Sequence, residues 1–173
     1  MASIWYPADL SAVSPAADPA DYILAQRFTV SETGTIQRLY YWKADPDAWS
    51  TVTMSLINAS AGTLLGQVDV TWGAGEQWVF ADLPSAVTVS AGPTYAVCLA
   101  VNAADDYTYD DSYSYPVTVG SITTIGISFL QTSADTAATG FFDGSIFARY
   151  LIDVEFTPRG GIQSRVEATY TRD

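Results

Sequence analysis

The sequence contains no histidine. That excludes a histidine general base, a Ser-His-Asp triad and histidine-ligated zinc. It contains one cysteine, Cys98, so no internal disulfide forms, and cysteine usage gives no sign of an oxidising compartment. Basic residues are scarce: seven Lys plus Arg stand against 19 Asp plus Glu, a net charge of −12. Phosphate backbones and anionic membrane surfaces both need a cationic footprint, so neither nucleic acid nor a membrane is an expected partner. No apolar run approaches the roughly 18 residues of a membrane span. Met1 to Tyr6 lack a basic stretch followed by an apolar one, so no signal peptide is read, and the product is expected to accumulate first in the cytoplasm of the cell that makes it. Helical periodicity is nearly missing.

Apolar residues are not scarce. They make up 49% of the 173 residues, with 15% charged, which suits one domain with a sizeable core. They recur with period two. In 94–102, Tyr95, Val97, Leu99 and Val101 point one way and Ala96, Cys98 and Ala100 the other, so both faces are apolar and the strand is predicted to be central. Alternation also marks 51–56, 124–130 and 150–156, and more weakly 23–30, 36–43, 64–70, 77–82 and 87–90. Turn residues separate these runs, as in Glu32-Thr33-Gly34, Gly73-Ala74-Gly75 and Ala91-Gly92-Pro93. The pattern predicts an all-β chain: an antiparallel β-sandwich of jelly-roll or immunoglobulin-like type, with nine to ten strands and almost no helix. Tyr95, Val97, Leu99, Ile125, Ile127, Phe129, Ile152, Val154 and Phe156 are expected between the two sheets.

The chain divides by charge at Pro158. Residues 1–157 hold four basic and 17 acidic side chains, a net of −13, and residues 158–173 hold three Arg against Glu167 and Asp173, a net of +1. The first part is read as the sandwich and the second as a C-terminal strand or assembly arm. Pro158 cannot donate a ladder bond, and Gly160-Gly161 frees the chain to turn away. The arm would use Arg159, Ile162, Arg165, Val166, Tyr170 and Arg172, either on a neighbouring molecule by strand addition or folded back as an edge strand of its own sandwich.

The order of segments resembles the bacterial and phage family known as domain of unknown function 4082, over residues 3–157. The resemblance is carried by Ser3-Ile4-Trp5 with Pro7, Arg27-Phe28, Tyr41-Trp42-Lys43, Thr63-Leu64-Leu65, the run Gly75 to Phe80, the run Val89 to Tyr95, and Ile152 to Phe156. It implies a fold like that of carbohydrate-binding modules and an accessory role in surface, secreted or phage proteins. The chain departs from the family where an Asp- and Tyr-rich loop occupies 103–116.

That loop is the leading candidate contact site. Tyr107, Tyr109, Tyr113 and Tyr115 alternate with Asp110, Asp111 and other acids. Tyrosine faces stack on sugar rings and carboxylates accept from hydroxyls. The same acids suit calcium only weakly, because the Asp-x-Asp-x-Asp-Gly spacing is missing, and no metal or cofactor is expected. A plain solvated loop explains the composition equally well. Trp49 and Trp72, beside turns, offer either exposed stacking platforms or partial burial at the ends of the sandwich; Trp42 and Trp78, inside alternating runs, are expected in the core. With no nucleophile motif, and with acid pairs arising by chance, the chain is expected not to be an enzyme. The leading expectation is an accessory structural protein of a phage virion, a capsid decoration or minor tail component. It would contact other virion proteins or copies of itself in a homo-oligomer or larger assembly, and also host-surface glycan. The alternative is an extracellular carbohydrate-binding module of a secreted bacterial protein.

Overall fold

The computed structural model describes residues 14–16, 22–43, 51–75, 77–101, 107–109, 115–131, 142–143 and 152–160. In chain order the strands are β1 (Ser14–Ala16), β2 (Tyr22–Val30), β3 (Gly34–Lys43), β4 (Val52–Asn58), β5 (Thr63–Val70) and β6 (Gln77–Val89). They continue with β7 (Tyr95–Val101), β8 (Tyr107–Tyr109), β9 (Val117–Val119), β10 (Ile122–Gln131), β11 (Phe142–Asp143) and β12 (Ile152–Pro158). No described residue is helical.

Ten of these strands form two sheets, and every pairing is antiparallel. The larger runs β11-β10-β2-β7-β4-β5, with β9 added on β10; the smaller runs β12-β3-β6. One core joins them. Leu24, Phe28, Met54, Leu56, Val97 and Leu99 come from the larger sheet, and Ile36, Leu39, Tyr41, Ile152, Val154 and Phe156 from the smaller. Each is at most 1% exposed, and burying such a side chain is worth about 1.5–3 kcal/mol. The chain is a β-sandwich, as its alternation predicts. The predicted central strand is indeed interior: β7 lies between β2 and β4. Its second face, Ala96 and Cys98, joins Ile23, Ala25 and Ile57 in a small buried cluster on the far side of the sheet.

Two local devices set the register. Gly34 opens β3 beneath the Phe156 ring, and a Cβ there would lie 2.5 Å from the Thr157 carbonyl oxygen, so only glycine fits. Gly126, at φ +145°, makes a bulge in β10: Thr124 pairs with Phe28 and Gly126 with Arg27, leaving Ile125 between them without a partner on β2. The bulge corrects one expected core position. Ile125 is only half-buried, while Thr124 and Ile127 on either side are buried, because one extra residue reverses the alternation. Phe129 pairs with Leu24, and its side chain lies outside the described residues. The stretch 77–90, read from sequence as two strands, is one strand, β6, whose pairing with β3 jumps from Asp82 to Val87. A two-stranded ribbon of β1 and β8 accounts for the remaining strands, so residues 14–16 pair with part of the Asp- and Tyr-rich loop.

Candidate functional site

The outer face of the smaller sheet gathers partly exposed aromatic and charged side chains, of which Phe80 and Asp82 are the most exposed. Alternation puts Leu39 and Tyr41 of β3 inward and Arg38, Tyr40 and Trp42 outward. Register does the rest. Arg38 lies opposite Asp82, Tyr40 opposite Phe80, and Trp42 opposite Trp78 on β6; on the other flank Arg38 lies opposite Glu155 and Tyr40 opposite Asp153 on β12. Three strands wide and five residues long, the face measures about 10 by 14 Å from strand spacing and rise.

Its side chains are ordered against one another. Tyr40 and Phe80 have ring centroids 6.2 Å apart, and Trp42 and Trp78 meet edge to face at 5.7 Å. Phe80 is 54% exposed, one of two large apolar side chains, with Leu64, that the described residues leave in water. The Arg38 guanidinium sits 4.3 Å from the centre of its ring. The same guanidinium donates to both oxygens of Asp82, from Nε at 2.6 Å and from Nη2 at 2.9 Å. This bidentate pair holds the Asp82 carboxyl below its usual range and the guanidinium above its own. The Tyr40 hydroxyl donates to Glu155 Oε2 at 2.9 Å; burial, then that bond, pushes the phenol up. The arrangement offers flat apolar rings flanked by carboxylate acceptors, with both kinds of group held in place before any ligand arrives.

Sequence reasoning placed Trp42 and Trp78 in the core, and the structure corrects this. Both are half-buried on the outer face, with Trp78 also reaching the main core. The aromatic that fills the interior is Trp72, 6% exposed and stacked on Tyr41 at 5.7 Å and 19°. The physical reason is that consecutive strand residues face opposite ways, so Tyr41 takes the inner place and Trp42 cannot.

The Asp/Tyr loop is divided. Tyr107 is half-buried, packs on the core and meets the Tyr22 ring edge to face at 6.2 Å. Tyr115 is half-buried, and its hydroxyl donates at 2.9 Å to Oε1 of the buried Gln26. Both therefore carry packing. The Tyr109 backbone pairs with Ser14, while Asp110, Asp111, Tyr113 and Trp49 lie outside the described residues. Of the arm, Arg159 is exposed and its backbone N–H donates to the Thr33 carbonyl at 2.8 Å, continuing the β3–β12 pairing past Pro158. Ile162, Arg165, Val166, Tyr170 and Arg172 lie outside the described residues.

No group of three potential metal-ligating side chains converges among the described residues. Cys98 is fully buried, and burial pushes its thiol up to about 12, so it stays protonated and inert.

A family profile described as Domain of unknown function (DUF4082) matches residues 8–147. No curated protein matches the chain.

Proposed function

The chain belongs to the DUF4082 family, and from the geometry of its smaller sheet we propose that it is a non-enzymatic accessory module that binds glycans. The observation that carries this reading is the outer aromatic face, with Phe80 left 54% exposed among Tyr40, Trp42 and Trp78. Aromatic rings braced by their neighbours stack against the C–H faces of sugars at little entropic cost, and carboxylates beside them accept sugar hydroxyls. Binding without turnover suits a chain that has no histidine and whose thiol is sealed in the interior. The site differs from the one expected at 103–116, where Tyr107 and Tyr115 are engaged with the core.

The module's setting is proposed to be a phage particle, as capsid decoration or minor tail component. What supports this is the charge division between an acidic sandwich and a tail of net +1, which suits docking on another acidic copy or virion protein. A glycan array probed with the intact chain tests the binding: discrete glycan signals with no hydrolysis products are expected, and a blank array or released sugars refutes it. Mass spectrometry of purified particles tests the setting, since a free secreted module would be found in the medium and not in the virion.

A further inference from the structure

The charges around the aromatic face decide which glycans fit it. Four basic side chains are described: Arg27, Arg38, Lys43 and Arg159. Arg27 belongs to β2 in the other sheet, Lys43 is buried and shares the inward side of β3 with Leu39 and Tyr41, and Arg159 lies beyond the end of β12. Arg38 is thus the one described cation on the face. It is committed twice, as a bidentate donor to Asp82 and against one face of the Phe80 ring.

An anionic sugar would find the charge of this guanidinium already balanced by Asp82. It would then lie beside the Asp82 and Glu155 carboxylates, on a chain of net charge −12. Like charges at this range repel, and no described counter-charge on the face offsets them. A neutral sugar meets neither penalty. Its C–H face covers Phe80 and the tryptophans, and its hydroxyls donate to carboxylate oxygens that retain accepting lone pairs. A second copy applying the same face would set its Asp82 and Glu155 carboxylates against these.

Resting on the glycan reading above, we infer that the β12-β3-β6 face selects uncharged glycans, chains of neutral pyranose units, and rejects those bearing uronate, sulfate or phosphate. Arg38 and Asp82 act as positioning residues: each neutralises the other and fixes the Phe80 ring for stacking.

Native affinity electrophoresis of the full chain and of Phe80→Ala tests this, in gels holding dextran, mannan or mixed-linkage β-glucan, and in gels holding alginate or heparin. Retardation is expected in at least one neutral gel, insensitive to salt, with none in the anionic gels. Phe80→Ala should weaken that retardation about ten-fold at an unchanged melting temperature. Stronger, salt-sensitive retardation by alginate or heparin overturns the neutral selection while leaving glycan binding standing. Full retardation of Phe80→Ala overturns the face as the site. A dimer on size exclusion that Phe80→Ala dissolves overturns the inference in favour of self-association. Absence of retardation in every gel removes the glycan reading itself.

Discussion

Replacing Tyr115 by Phe deletes one oxygen, the one that donates to a side chain in the centre of the sandwich. Gln26 lies on the inner side of β2, opposite Val97 on one flank and Ile127 on the other, and is fully buried. Its Nε2 donates at 2.9 Å to the carbonyl of Gly126, at the bulge in β10, and its Oε1 accepts from Tyr115 at 2.9 Å. Without that hydroxyl, an amide oxygen is left in the core lacking its donor, at a cost of about 1–3 kcal/mol. For a domain of this size each kcal/mol lowers the melting temperature by about 2–4 °C. Gln26→Met removes the other end of the bond and the donor to Gly126, at a similar cost. In the Gln26→Met background Tyr115→Phe then has no buried amide to orphan, so the two changes should couple by about 1 kcal/mol or more. Urea unfolding of the four proteins, at constant m, gives the cycle. Stability of Tyr115→Phe within about 0.5 kcal/mol of the parent, or simple additivity, would refute the argument that this tyrosine latches the loop to the core.

Three further outcomes are expected. Gly34→Ala forces a methyl against the Phe156 ring and the Thr157 carbonyl, and should cost about 1–3 kcal/mol or more in denaturant titration; an unperturbed midpoint would mean the β3–β12 contact is looser than described. Gly126→Ala has room for its methyl but must hold φ +145°, so it should lose about 1 kcal/mol or more through backbone strain alone, and heteronuclear NMR should show shifts confined to the bulge. Cys98 should be silent to a thiol reagent in the native protein and react once in urea. Because its folded pKa is raised from 9.0 to about 12, its contribution to stability is whole below pH 9 and lost as pH climbs toward 12. Cys98→Val should flatten that alkaline decline, and an identical decline would assign it to other groups.

Period-two alternation, turn residues and the missing helical period specify an antiparallel sandwich, because a strand with one apolar face has to cover it with another sheet. Apolar residues on both sides of 95–101 likewise mark β7 as interior. The missing histidine and the single cysteine on a central strand limit the chemistry before any coordinates are known. Alternation names two faces without saying which one is inward, and only the second sheet decided that. Tyr41 and Trp42 are equally apolar in sequence, yet one lines the core and the other the surface. Ile125 continues a sound alternating run, but the partner strand and the positive φ of Gly126 interrupt it. Tyr115 and Gln26 are far apart in the chain, and their bond exists because β10 and the segment before it return to β2. The aromatic face was legible only in pieces, as Tyr40 and Trp42 in one run and Trp78 and Phe80 in another. It becomes one surface through the register of β3 on β6, a long-range pairing that no local pattern encodes.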